Sequence, residues 1–88
     1  MQPASIPNRR ENLHVREIDG ETVILDQENE RMHNLNSTAA FVFLSVDGQR
    51  TERQIGEEFA ECFGVTLQVA EQDTQAALRK FRELQLIR

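Results

Sequence analysis

Apolar and polar residues follow two different periods along this chain, and the first part has the period of a sheet. Residues 13–18 alternate, and residues 22–25 are β-branched and apolar, as in two neighbouring strands. Between them stands Asp19-Gly20, the residue types of a two-residue type I′ turn, in which both central residues need a positive φ. The pattern predicts a β-hairpin.

A third strand is predicted at residues 31–35, where it runs directly into a helix. Residues 26–30 form the polar connection before it, and Asn29 is the residue there best able to take the left-handed conformation. Asn36 or Ser37 can cap the helix that follows. As the last strand of a meander, this strand has a free edge of unpaired N–H and C=O groups. We interpret that edge as the working surface.

Three helices follow the predicted meander. Residues 38–46 are almost entirely apolar, which is typical of a helix at the centre of a core, and Asp47-Gly48 is predicted to end it. Thr51 and Gln54 form a capping-box pattern that opens the second helix. Gly64 is predicted to end that helix. A helix-turn-helix pair therefore occupies the second half of the chain.

The third helix, with Thr66 as its predicted cap, carries two adjacent stripes of residues. By the helical period the second stripe is rotated by roughly 100° from the first. It is half apolar and half charged, which fits the wall of a shallow groove and fits a plain helix margin equally well. The predicted core stripe is Ala70, Thr74, Ala77, Phe81 and Leu84, beside Leu78; the second stripe is Val69, Asp73, Ala76 and Lys80.

These elements predict an α+β domain: a three-stranded antiparallel β-meander followed by three helices, similar to a winged helix-turn-helix. The chain of 88 residues is long enough for one small domain, placed at residues 13–88. Residues 1–12 contain two prolines and few apolar residues and are predicted to form a flexible N-terminal arm. Arg9 and Arg10 are interpreted as solvated.

Composition excludes several classes of function. The formal net charge of −5 argues against nucleic acid as a partner, and no apolar run is long enough to span a membrane. Cys62 is the only cysteine, which fits a reducing cytoplasm, and it is predicted to be a core residue on the apolar face of helix two. A metal site at His14 and His33 is not expected, because the predicted second strand lies between them and at least a third ligand would be needed at close range. We therefore expect no catalytic residues, no metal and no cofactor.

The ordered set of features resembles the PqqD family over residues 13–87. Members of this family often have glycine at the positions where this chain has Asn29 and Gln85, and the backbone tolerates both changes. The residues that carry the resemblance are Leu35-Asn36-Ser37-Thr38-Ala39-Ala40, Asp47-Gly48, Thr51, Ile55, Asp73, Leu78 and Leu86-Ile87.

The resemblance implies a peptide chaperone, also called a RiPP recognition element, which acts on ribosomally made and later modified peptides. Such a protein binds the leader of a precursor peptide and presents it to a modifying enzyme, such as a radical SAM protein, or to a leader peptidase. The leader would add as a strand to the third strand and pack against the third helix. The implied peptide-binding residues are Arg31, Met32, His33, Asn34, Leu35, Val69, Asp73, Ala76 and Lys80.

A winged-helix DNA-binding regulator is the alternative function. Arg79, Lys80 and Arg82 on the third helix could face phosphates, although acidic residues lie between and around them. The two functions differ in salt dependence, because binding through several phosphate contacts falls steeply as salt rises.

Overall fold

The structure, a computed structural model, describes residues 6–88. Its sheet is antiparallel with strand order β1-β2-β3, and the three helices follow in sequence, which confirms the predicted α+β fold. The elements are β1 (Leu13–Ile18), β2 (Glu21–Asp26), β3 (Arg31–Leu35), α1 (Ser37–Ser45), α2 (Glu52–Phe63) and α3 (Leu67–Glu83).

The β1–β2 hairpin has the turn that its sequence predicts. Ile18 pairs with Glu21, and the two residues between them have positive φ angles, 53° at Asp19 and 80° at Gly20. Both angles are those of a type I′ turn, whose twist matches that of the flanking strands.

The β2–β3 connection differs from its prediction, because Glu30 and not Asn29 is left-handed, with a φ of 53°. Asn29 instead serves the buried carboxylate of Asp26. Its backbone N–H donates to Oδ1 at 3.2 Å and its side-chain Nδ2 donates to Oδ2 at 2.9 Å. The demand of a buried carboxylate for donors thus fixes Asn29, and the positive φ falls on the next residue.

The helix caps follow the sequence closely. Asn36 Oδ1 accepts from the N–H of Ala39 at 2.8 Å, and Thr51 and Gln54 form both hydrogen bonds of the capping box. Gly64 closes α2 in the left-handed conformation with a φ of 65°. The end of α1 differs: Val46 caps it in an extended conformation, and Gly48, although left-handed, lies beyond the cap.

The core is built around α1, which packs on the other two helices and on strands β2 and β3. Val42 and Phe43 of α1 are fully buried, and the Phe43 ring meets that of Phe81 edge to face with centroids 5.4 Å apart. Leu86 and Ile87, after α3, are also buried. The remaining members of the buried cluster are Ile24, Val46, Ile55, Phe59, Ala70 and Leu78.

Cys62 is exposed, so the prediction that it is a core residue is wrong. It lies in the last turn of α2, where its neighbour Phe63 takes the packing position. The Phe63 ring contacts Phe41 with centroids 5.5 Å apart and Phe59 at 4.6 Å. The helical period placed Cys62 on the apolar face, but in that turn Phe63 packs against the core and Cys62 remains exposed.

The N-terminal segment is docked on the body of the protein from residue 7 onwards, which the predicted arm over residues 1–12 did not anticipate; residues 1–5 lie outside the described residues. Arg9 forms a bridge with Ile87, and the Arg10 N–H donates to the Leu86 carbonyl at 3.0 Å. The Arg9 guanidinium lies over the Phe43 ring, 4.9 Å from its centroid. The interpretation of both arginines as solvated is therefore wrong.

Candidate functional site

A groove runs between β3 and α3, with the start of α1 at one end. We call it the β3–α3 groove. Its larger part has a volume of about 460 Å³ and is lined by Met32, His33, Asn34, Leu35, Asn36, Ala39, Ala77, Lys80, Phe81 and Leu84. A second part of about 370 Å³ continues past α1 and is lined by Asn36, Thr38, Ala39, Phe59, Asp73, Ala76 and Ala77. The two parts share three residues, so they form one continuous groove.

The groove exists because its two walls do not pack against each other. Within residues 6–88, β3 makes its contacts with β2 and α1, whereas α3 packs on α1 and α2. Phe81, in the last turn of α3, is almost completely buried. Around it, Leu35, Ala39 and Leu84 are partly buried. The floor is therefore apolar and can accept apolar side chains of a ligand.

The register of the sheet determines which backbone groups face the free edge. The turn closes on Ile18 and Glu21, and the closing pair of such a hairpin exchanges both backbone hydrogen bonds. Along β2 the direction alternates, so every second residue from Glu21 bonds to β1 and the others bond to β3. Ile24 is one of the others, and its partner is His33.

It follows that Arg31, His33 and Leu35 bond to β2, while Met32 and Asn34 direct their N–H and C=O groups away from the sheet. Two donors and two acceptors thus stand free along the edge that borders the groove. β1 is the other edge strand of the sheet. β3 combines its open edge with an adjoining apolar groove.

Charged groups are separated along the groove. Lys80 lines the larger part together with His33, whose Nε2 is buried without a hydrogen-bond partner, and Asp73 lines the second part. Neither Lys80 nor Asp73 forms an ion pair with another described side chain. They stand two turns apart on α3, about 10 Å along its axis. Both charges therefore remain available to a ligand.

Seven of the nine residues predicted for the site line the groove. Arg31 instead borders a shallow depression beside the β2–β3 connection, and Val69 lies one turn before Asp73, exposed and outside the groove. Ala77 was assigned to the core stripe, yet it is only partly buried and lines both parts of the groove. The groove runs along the boundary between the two stripes of α3.

Seven lining residues were not predicted as part of the site: Asn36, Thr38, Ala39, Phe59, Ala77, Phe81 and Leu84. Asn36 was identified only as a cap, and Phe81 and Leu84 only as core. The available signal was the direct passage from β3 into α1, which has to bring the first turn of α1 beside α3.

No group of three or more His, Cys, Asp or Glu side chains among residues 6–88 is placed to hold a metal ion. Of the helices described, none is both long enough and apolar enough to cross a membrane.

Comparison with known proteins gives the family. The family model described as coenzyme PQQ synthesis protein D (PqqD) matches residues 21–87. This chain belongs to the PqqD family. No curated protein matches its sequence at a significant level. The PqqD match covers β2, β3 and all three helices, and therefore the whole groove.

Solved structures share the fold of this PqqD family member. A lasso peptide synthetase B1 complexed with a leader peptide superposes with a TM-score of 0.84 at 20% identity, covering 96% of this chain and 99% of that one. TbiB1 in complex with the TbiA(beta) leader peptide gives 0.80 at 16% identity, covering 91% and 93%. The PqqD truncation of Methylobacterium extorquens PqqCD, described as a stand-alone RiPP recognition element, gives 0.77 at 21% identity, covering 93% and 87%.

Proposed function

We propose that this protein binds the leader segment of a ribosomally made precursor peptide. The leader adds as a fourth strand along β3 and places every second side chain in the β3–α3 groove. The observation that carries the proposal is the open edge at Met32 and Asn34, which borders an apolar groove. Strand addition combines backbone affinity with side-chain specificity in this way.

The family supports this function. Two of the similar structures are complexes with leader peptides, and the third is described as a recognition element for such peptides. Each of them superposes on more than nine-tenths of this chain. The same edge and the same groove are therefore the first place to seek a leader here.

The strength of binding requires both the edge and the groove. Four backbone bonds at Met32 and Asn34 contribute about 1 kcal/mol each. Association costs roughly 4–15 kcal/mol, whereas micromolar affinity requires about −8 kcal/mol. The backbone bonds alone fall short. Burial of several leader side chains on the groove floor, at roughly 1.5–3 kcal/mol each, supplies the difference.

The proposed role is that of a chaperone without chemistry of its own. The protein would hold the leader while a separate enzyme, such as a radical SAM protein or a leader peptidase, acts on the rest of the precursor. A cytoplasmic location suits this role, because precursor peptides are made there.

The alternative, a DNA-binding regulator, has less support. The chain carries a net charge of −5, and the basic side chains of α3 are few. Arg82 is already engaged with Glu52, its Nη2 lying 2.8 Å from the carboxylate oxygen. Lys80 faces the groove and not an open helix surface.

A titration followed by nuclear magnetic resonance tests the proposal. Isotope-labelled protein is titrated with the peptide that co-purifies with it from the cells that make it. Shifts should concentrate in β3, α3 and the first turn of α1, and the peptide should emerge unaltered in mass. Shifts confined to β1 and α2 would place the peptide elsewhere, and a changed mass would indicate catalysis.

A further inference from the structure

β3 and α3, the two walls of the groove, do not pack on each other. The distance between them is therefore set by the contacts at the two ends of the groove. At one end the fixed point is α1, which follows β3 after the single residue Asn36 and packs on α3. The other end of the groove lies at Met32 and Leu84. The residue that joins the walls there is Arg10.

Arg10 connects both walls through its guanidinium group. Its Nε donates to the carbonyl of Gln85, the second residue after α3, at 2.6 Å. Its Nη2 lies 2.6 Å from Asp26 Oδ2, and its Nη1 lies 2.8 Å from Glu28 Oε2. Asp26 is the β2 partner of Arg31, the first residue of β3. One side chain therefore ties the segment that follows α3 to the end of β2, which pairs with the start of β3.

The connection has the features of a defined position and not of a chance surface pair. The Arg10 side chain is 17% exposed and that of Asp26 is 1% exposed. Backbone pairing holds the segment itself, with the Arg10 N–H on the Leu86 carbonyl and the Arg88 N–H on the Asn8 carbonyl. A guanidinium presents its donors from three separate nitrogens in one rigid plane, whereas the three donors of lysine all radiate from a single nitrogen.

We propose that Arg10 is a positioning residue for peptide binding: by joining the Gln85 carbonyl to Asp26 and Glu28 it sets the width of the β3–α3 groove at its open end. This inference rests on the proposed function for its role in binding, whereas its effect on groove width stands by itself. The peptide does not need to touch Arg10 for the effect.

The first test measures groove width without any peptide. Spin labels are attached at two exposed positions, Asn34→Cys on β3 and Arg79→Cys on α3, in a Cys62→Ser background. The distance between the two labels is measured by pulsed electron spin resonance. Arg10→Lys keeps the positive charge near Asp26 but loses the three-way connection. We expect a broader distribution shifted to longer distances. An unchanged distribution overturns the proposal.

A matched control separates the groove from general stability. Arg50 also makes two ion pairs, with Asp47 and Glu58, but touches neither wall of the groove. Arg50→Lys should leave the distance distribution as in wild type. If Arg10→Lys does not fold, the double variant Arg10→Gln with Asp26→Asn removes both charges together and is measured in its place.

The second test links width to binding. The probe is a peptide that is selected from a random display library for binding to the wild-type protein. It is also required to lose that binding in the Met32→Pro variant. Its affinity should fall at least about tenfold in Arg10→Lys and stay within about twofold in Arg50→Lys. Equal affinity in all three proteins overturns the positioning role. If selection yields no peptide sensitive to Met32→Pro, the proposed function fails, while the label distances still decide the effect of Arg10 on the groove.

Discussion

Two neighbouring residues of β3 have opposite backbone roles, and proline distinguishes them. Met32 directs its N–H to the free edge, whereas His33 directs its N–H to β2. Proline removes that donor and is tolerated in a strand only where the donor faces outward. We expect Met32→Pro to stay folded and lose peptide binding, and His33→Pro to lose stability. Thermal melts followed by calorimetric titration check both.

Asn34→Pro is the matched control for Met32→Pro, because Asn34 belongs to the same outward set. It should reproduce the loss of peptide with a retained melt. Binding equal to wild type in the folded proline variants would mean that side chains alone hold the peptide.

Gln85 holds a backbone conformation that suits glycine, with a φ of 59°. A residue with a Cβ is disfavoured there by about 1–2 kcal/mol, partly offset by the greater chain entropy of glycine when unfolded. Gln85→Gly should therefore stabilise the fold by about 0.5–1 kcal/mol, and its carbonyl remains to accept from Arg10. Urea unfolding measures this. Gln75→Gly, within α3, should instead destabilise, and a loss at both positions would contradict the account.

The buried carboxylate of Asp26 makes stability depend on acid. Hydrogen bonds from Arg10 and then from Asn29 lower its pKa from 3.8 to about 2. A depressed pKa stabilises the fold at pH values above the unfolded pKa, and that contribution disappears as pH falls through the folded value. Stability should therefore drop between about pH 4 and pH 2. Denaturant unfolding should show a smaller drop for Asp26→Asn, and an equal drop would assign the effect to other carboxylates.

At the scale of elements, the groove wall of α3 is open to a filling substitution. Ala76 is exposed and lines the second part of the groove. Ala76→Trp should occupy the space of a leader side chain and weaken binding at least about tenfold, with a nearly unchanged melting temperature. Ala77→Trp should block binding as well, because Ala77 lines both parts of the groove.

Ala70→Trp is the contrasting variant for the same helix. Ala70 is fully buried, so a ring there overpacks the core and should lower the melting temperature. Fluorescence titration and thermal melts on the three variants separate a filled groove from a damaged core. Wild-type affinity in both Ala76→Trp and Ala77→Trp would exclude the groove as the site.

Element types were predictable because each carries a local signal. The strands came from alternation and from Asp19-Gly20, and the helix starts from side-chain caps such as Thr51. The local signal could not predict which residues of each element are buried by the other elements. Cys62 lies on the predicted apolar face but is exposed beside Phe63, which packs against the core, and Ala77 lies at the margin of the core. The docking of Arg10 depends on partners at Asp26 and Gln85, far away in sequence.

At the scale of the whole molecule, the site is an edge and a groove that share one boundary. The sheet supplies two outward donors and two outward acceptors, α3 supplies an apolar wall with separated charges, and α1 and Arg10 hold the two apart. An extended peptide is the ligand whose repeat matches both surfaces at once.

The most direct measurement is amide hydrogen exchange of β3 with and without the peptide that co-purifies with the protein. In the free protein the N–H groups of Met32 and Asn34 should exchange fast, while those of His33 and Leu35, bonded to β2, should exchange slowly. With peptide at saturation, Met32 and Asn34 should become as protected as their neighbours. If both remain fast under saturating peptide, the leader does not add to β3 and the central claim is wrong.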